Sequence, residues 1–135
     1  MINKKAFDKG LKLLKKMTGE RLEEVRRAFR EADPDFEQYV VGFVAGDVWS
    51  RPRLDLKTRS LCTIAAVTAL GRPSALNLNI HMALENGATE EEIVEVMFQM
   101  GVYAGFPACW EGLLAAKRVF AERRGRKGRG KRGGR

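Results

Sequence analysis

The stretch Leu61–Leu70, LCTIAAVTAL, decides the fold class because it is apolar on every side of a helix and does not alternate as a strand would. A helix of this kind is normally buried among other helices. Asp55 precedes it as an N-cap, and Gly71 ends it. It is about half as long as a membrane span. The stretch therefore predicts the central buried helix of a soluble protein with no membrane segment.

Helical periodicity continues on both sides of this helix, and hairpin signals are absent. Three amphipathic helices are predicted before it, at about 4–16, 20–32 and 34–49. After it, a fifth helix is predicted from Ser74 to Asn86-Gly87, a sixth from the capping box of Thr89 and Glu92, and a last one from Gly105-Phe106-Pro107 to about Glu122. The sequence thus predicts an all-α fold of six or seven helices.

The net charge of +8 is concentrated in one segment. Residues 123–135 read RRGRKGRGKRGGR and contain no acid; their eight bases are Arg123, Arg124, Arg126, Lys127, Arg129, Lys131, Arg132 and Arg135. Without these eight, 17 of the 25 bases remain, which equals the number of acids. We therefore predict a domain over residues 1–122 and a disordered basic tail over 123–135. Such a tail can bind nucleic acid without sequence preference, or it can be only a solubilising extension.

The two cysteines, Cys62 and Cys109, have no partner at the spacing typical of metal or redox motifs. Both are predicted to be buried, reduced thiols. The N-terminal sequence MINKKAFDKG lacks the apolar core of a signal peptide, so a cytoplasmic location is expected. No metal site is predicted.

A series of short motifs resembles the signature of the carboxymuconolactone decarboxylase family. The resemblance extends from about residue 7 to residue 120 and depends on several motifs occurring in the right order. The motifs are Gly46-Asp47-Val48-Trp49-Ser50-Arg51-Pro52, Leu54, Thr58-Arg59-Ser60-Leu61, Thr63-Ile64-Ala65-Ala66, Ala69-Leu70-Gly71-Arg72, Asn86-Gly87, Thr89, Glu91-Glu92-Ile93, Val102-Tyr103-Ala104-Gly105 and Pro107-Ala108.

The resemblance implies an all-helical, alkylhydroperoxidase-like fold, assembled as trimers or hexamers and needing no cofactor or metal. The family's named reaction, in aromatic catabolism, removes carbon dioxide from 4-carboxymuconolactone and gives the enol-lactone of 3-oxoadipate. Asn79 and Gln99 stand where members commonly carry histidines. Arg72 and Ala75 stand where related peroxidases carry a Cys-x-x-Cys pair. Peroxidase chemistry is therefore excluded, because the thiol nucleophile is missing.

Decarboxylation requires a cation for the substrate carboxylates, a polar group for the developing dienolate and an acid that protonates carbon. Arg51 is the best candidate for the cation, because a guanidinium binds a carboxylate through two parallel hydrogen bonds. Its alternative role is a salt bridge to Asp47, four residues earlier. Asp47 is itself either a proton carrier or only a helix-end residue.

The other candidates also have two interpretations each. Trp49 packs in the protein or stacks on substrate, and Tyr103 either donates to an oxyanion or belongs to the core. Asn79 and Gln99 can orient substrate, but neither titrates near neutral pH. His81, the only histidine, is a partly buried structural residue or a relocated proton donor.

Two functional hypotheses follow. The first is a cofactor-free decarboxylase acting on a small carboxylated lactone. The second is a non-catalytic oligomeric scaffold whose tails bind nucleic acid or other polyanions. A homo-oligomer is expected in both cases, because so small a domain with all-round apolar helices buries part of them against copies of itself. Arg59 is predicted to pair with Glu91 or Glu95.

Overall fold

The computed structural model describes residues 2–132, with side chains up to residue 130. All regular structure in this part of the chain is helical, which confirms the predicted all-α class. The helices are α1 (Lys4–Thr18), α2 (Leu22–Ala32), α3 (Pro34–Gln38), a π-helix (Tyr39–Trp49), α4 (Leu56–Leu70), α5 (Pro73–Glu85), α6 (Glu90–Ala104) and α7 (Phe106–Arg132). A short 3-10 turn, Gly19–Arg21, joins α1 to α2.

Most helix ends are set by the local signals predicted from the sequence. Thr89 and Glu92 form the reciprocal capping box at the start of α6. Asp55 accepts a hydrogen bond of 2.7 Å from the Thr58 backbone N–H at the start of α4. The predicted cap at Ser74 is wrong, since α5 begins one residue earlier, at Pro73. Proline at the first helical position has a preset φ and no N–H that needs a partner.

The π-helix is the main departure from regular α-helical geometry. The sequence predicts a single α-helix over 34–49, but the coil widens after Gln38 into i→i+5 geometry. The buried residues of this segment form two adjacent pairs, Val41-Gly42 and Ala45-Gly46. A separation of four between these pairs fits both helix types. The apolar pattern therefore could not distinguish them.

The chain divides into two compact units, residues 1–59 and residues 60–135. In the first unit, α1 packs closely against the π-helix through glycines. A Cβ at Gly10 would lie 1.8 Å from the Val41 carbonyl oxygen, and one at Gly46 would lie 2.1 Å from the Ala6 carbonyl oxygen. Only glycine permits so close an approach of two backbones.

A buried carboxylate joins α2 to α3 in the same unit. Glu37 accepts hydrogen bonds from Arg26 Nε at 2.7 Å and from Arg30 Nη1 at 2.9 Å. Arg30 also pairs with Glu23, and this hydrogen bond holds the pKa of the Glu23 carboxyl below its usual value of 4.5. Two guanidinium groups thus compensate the burial of Glu37.

The second unit has a core of small and branched side chains from α4 to α7. Its members are Ile64, Leu76, Ile80, Ala83, Ala88, Ile93, Met97, Cys109, Ala115, Ala116, Val119 and Phe120. From α4, the buried residues Ser60, Ile64 and Thr68 lie on one stripe, whereas Cys62 and Leu70 are exposed. The prediction of an all-round buried α4 is therefore wrong for the single chain. So is the burial of Cys62, while that of Cys109 is confirmed.

The last helix extends further than the sequence predicted. The expected end near Glu122 is too early, because α7 runs to Arg132, and residues 123–132 are helical where disorder was expected. Arginine and lysine are good helix formers. Two ion pairs anchor the extension, Arg123 to Glu85 at 3.0 Å and Arg124 to Glu90 at 2.6 Å. The position of Arg135 lies outside the described residues, and the division into a domain and a tail stays a prediction.

Across residues 2–132, none of the helices combines the length and the apolar character that crossing a membrane requires.

Candidate functional site

An open groove of about 570 Å³ lies in the first unit, between one face of α1 and the loop that follows the π-helix. The α1 side contributes Lys9, Lys12, Leu13 and Lys16. The loop side contributes Trp49, Ser50, Arg51, Pro52, Leu54, Asp55 and Leu56. The groove thus combines apolar walls with several charged side chains, as small-molecule sites commonly do.

The three lysines share one face of α1 because they are separated by three and four residues. The opposite face carries the buried residues Gly10, Leu14 and Met17. All three lysines are exposed. These lysines were not predicted as site residues, although their spacing relative to the buried stripe is typical of a basic helix face.

Backbone hydrogen bonds hold the loop that carries Arg51. The Arg51 N–H donates to the Val48 carbonyl at 3.2 Å. Arg59, on the first turn of α4, donates from Nη2 to the Arg51 carbonyl at 3.0 Å and from Nε to the Leu54 carbonyl at 3.1 Å. One guanidinium therefore ties both ends of the segment 51–54. The predicted pairing of Arg59 with Glu91 or Glu95 stays a prediction.

The groove has a strong excess of positive charge. Four cations, Lys9, Lys12, Lys16 and Arg51, face one carboxylate, that of Asp55. The hydrogen bonds from the Thr58 backbone N–H and then its side chain lower the pKa of the Asp55 carboxyl. Asp55 is therefore ionised at neutral pH and already occupied as a helix cap. The remaining charge suits an anion with more than one carboxylate.

The structure brings two of the predicted site residues together. Arg51 is exposed and Trp49 is half-buried, and both line the groove. Asp47 is exposed on the π-helix and is not among the lining residues. In the described part of the chain, no ion pair links Asp47 to Arg51, so the alternative role predicted for this arginine is not found.

The other predicted residues belong to the second unit. Asn79 donates to the Ala75 carbonyl of its own helix at 2.7 Å. His81 is 5% exposed, and its Nε2 lies 3.0 Å from the Glu122 carboxylate. Gln99 is exposed. Tyr103 is 77% exposed, which makes the prediction of a core position wrong. Their roles in substrate binding or proton transfer stay predictions.

Within residues 2–132, no three His, Cys, Asp or Glu side chains are grouped so that they could hold a metal ion. The groove itself offers four cations and the aromatic side chain of Trp49.

Comparison with known proteins gives consistent matches. The sequence model described as "Carboxymuconolactone decarboxylase family" matches residues 34–118. The chain is 34% identical over 125 residues to the 4-carboxymuconolactone decarboxylase of Acinetobacter baylyi, covering 90% of this chain and 92% of that protein. It is 34% identical over 124 residues to a nitrosuccinic acid decarboxylase of Metarhizium robertsii, covering 88% and 84%. An uncharacterised 15.0 kDa protein of Paracoccus denitrificans is 38% identical over 99 residues, covering 71% and 73%.

Proposed function

Because the chain belongs to the carboxymuconolactone decarboxylase family, we propose that it is a cofactor-free decarboxylase of a small carboxylated lactone, and that the cationic groove binds this substrate. The observation that carries the proposal is the convergence of Arg51, Trp49 and three lysines on one groove. The names of the two similar decarboxylases support the reaction class, and both name carboxylated substrates.

Each type of groove residue contributes a different contact to substrate binding. Arg51 binds the substrate carboxylate that is not lost in the reaction, because its planar guanidinium makes two parallel hydrogen bonds. The ammonium groups of Lys9, Lys12 and Lys16 add positive potential beside it. Trp49 offers an apolar surface for the ring.

In the reaction itself, the bond between the ring carbon and the departing carboxylate breaks. Its electron pair stays on the ring carbon and spreads onto the lactone carbonyl as a dienolate, while carbon dioxide leaves. The lysine cations stabilise this developing negative charge. A proton then adds to carbon. The ammonium groups of the groove lysines carry protons, and one of them can donate a proton to this carbon as a general acid.

The test is a direct assay. Purified protein is mixed with 4-carboxymuconolactone, and the loss of substrate and the release of carbon dioxide are followed; nitrosuccinate serves as a second substrate. We expect turnover of the lactone; turnover of nitrosuccinate alone would keep the reaction class and contradict the lactone as substrate. No turnover of either, together with a Tm that neither compound changes, would remove the proposal.

A matched pair of variants locates the site. Arg51→Ala is expected to lower kcat/KM about tenfold to a hundredfold, since a charge-assisted hydrogen bond contributes about 1.5–3 kcal/mol. Arg53→Ala is the control, because Arg53 is exposed in the same loop but does not line the groove. Equal losses in both variants would show that the groove is not the substrate site.

A further inference from the structure

The helical segment of residues 123–132, here called the basic arm, carries a charge that the decarboxylase reaction does not use. It contains seven bases and no acid. Residues 1–122 are formally neutral, so the net charge of the protein resides in this segment and the residues after it.

The basic arm is anchored at its start, and the glycines that follow the anchor contact no other side chain or backbone. Arg123 and Arg124 form ion pairs with Glu85 and Glu90. A Cβ added at Gly125, Gly128 or Gly130 would meet no atom within 4 Å. The bases between these glycines, Arg126, Lys127 and Arg129, are exposed. The helix surface is therefore accessible from several sides.

The charge density of the basic arm matches that of a nucleic-acid duplex. At a rise of about 1.5 Å per residue, seven bases fall within about 15 Å of helix, or one per about 2 Å. Duplex DNA carries one negative charge per about 1.7 Å. Like charges four residues apart and three glycines both disfavour an isolated helix. A polyanion would remove the charge repulsion and thereby stabilise the helix.

The composition distinguishes among possible polyanions. A helix that lies on a membrane needs an apolar face, and residues 123–132 contain no aliphatic or aromatic side chain. Proteins that bind single strands stack the bases on aromatic residues, which the basic arm also lacks. Contacts with the phosphate backbone alone need only accessible lysine and arginine side chains on a rigid element.

We propose that the basic arm, in its helical conformation, binds the phosphate backbone of double-stranded nucleic acid without sequence specificity. The basic arm contains none of the residues assigned to substrate binding.

The test measures binding of the full chain to a short labelled DNA duplex by fluorescence anisotropy, over a series of salt concentrations. In R126Q/K127Q/R129Q, the slope of log K against log salt should become shallower by about 2.7, since each phosphate contact contributes about 0.9. K5Q/K15Q/R27Q is the matched control, because it removes three exposed bases elsewhere. Its slope should stay close to that of the wild type.

Further measurements test the identity of the partner and the need for a helical basic arm. A shuffled duplex should bind equally well, and a single strand or anionic phosphatidylserine vesicles should bind at least tenfold more weakly. Gly128→Pro keeps every charge but interrupts the helix, and it should weaken duplex binding severalfold, whereas Gly128→Ala should not weaken it. Truncation after Arg124 keeps both anchoring ion pairs and should abolish salt-sensitive binding without changing decarboxylase activity.

Three results would overturn the proposal. The first is a wild-type affinity and salt slope in R126Q/K127Q/R129Q, whatever the control does. The second is a preference for vesicles or single strands over the duplex. The third is a Gly128→Pro variant with wild-type affinity and slope, which would show that the helical form plays no part.

Discussion

Asp55 has two neighbours of different kinds, the start of α4 and the cationic groove. Its carboxylate accepts the Thr58 backbone N–H at 2.7 Å and lines the groove with Arg51. The hydrogen bonds from Thr58 lower the pKa of the carboxyl below its usual value of 3.8. Because the folded-state pKa is depressed, the ionised cap stabilises the fold at neutral pH, and this contribution is lost as the pH falls below 3.8 through the lowered pKa.

This linkage gives a prediction for two variants. Asp55→Ala should lower the Tm by a few degrees at neutral pH, because the α4 N-terminus loses its cap. Asp55→Asn should keep most of the neutral stability, since asparagine also caps helices, but should lose less stability than the wild type on acidification. Thermal unfolding monitored between neutral pH and about pH 3 checks both outcomes. An identical acid response in Asp55→Asn and the wild type would contradict the assignment of this pKa.

Arg59 acts on Arg51 through the backbone, since its guanidinium bridges the Arg51 and Leu54 carbonyls. Arg59→Lys keeps the charge but cannot reproduce the forked geometry. The loop should loosen, and kcat/KM for the compound that is decarboxylated should fall about fivefold to tenfold, mainly through KM. This is the decrease expected when substrate binding loses about 1–1.4 kcal/mol. Steady-state kinetics check this, with Arg53→Lys as the control in the same loop. Unchanged kinetics in Arg59→Lys would show that the loop holds its conformation without the bridge.

At the scale of the element, the π-helix depends on its contact with α1. A methyl group at Gly10 would meet the Val41 carbonyl oxygen at 1.8 Å, and a backbone atom cannot move aside as a side-chain end can. Gly10→Ala should therefore destabilise the protein by about 3 kcal/mol, at the upper end of the range for overpacked cores. Denaturant unfolding measures the free energy. Gly125→Ala, where a Cβ would meet nothing within 4 Å, is the control and should be neutral or slightly stabilising. Equal stability of Gly10→Ala and the wild type would mean that α1 does not pack as described.

The elements also show how far sequence reasoning reaches. The capping box of Thr89 and Glu92 was predicted because its signal is local. The helical state of residues 123–132 was missed because composition alone favours disorder, whereas Glu85 and Glu90, distant in sequence, supply the anchoring partners. In the site, Arg51 was predicted from its motif. Lys9, Lys12 and Lys16 were not, because their spacing indicates an exposed basic face but only the folded chain shows that this face lines a groove with the loop after the π-helix.

At the scale of the whole molecule, the single chain leaves large apolar side chains in contact with solvent. In the second unit these cluster in sequence around the junction of α6 and α7, where Val102, Phe106 and Trp110 are 73%, 69% and 69% exposed. Removing apolar surface from water contributes about 25 cal/mol per Å², so covering one such tryptophan would contribute about 4 kcal/mol. Exposed side chains of this size usually mark an interaction surface. We propose that this surface contacts another copy of the chain in a homo-oligomer.

The oligomer gives the last prediction. In Phe106→Glu combined with Trp110→Glu, the new carboxylates would have to be buried without partners in the contact, at a cost that exceeds the apolar gain they replace. The double variant should therefore have a smaller mass than the wild type in light scattering coupled to size-exclusion chromatography, while its helical circular dichroism is retained, because neither side chain belongs to the core of its own chain. Glu111→Arg is the control: it changes an exposed charge next to Trp110 and should leave the mass unchanged. A wild-type protein that is monomeric at every concentration, or a double variant that keeps the wild-type mass, would show that this apolar surface does not hold copies together.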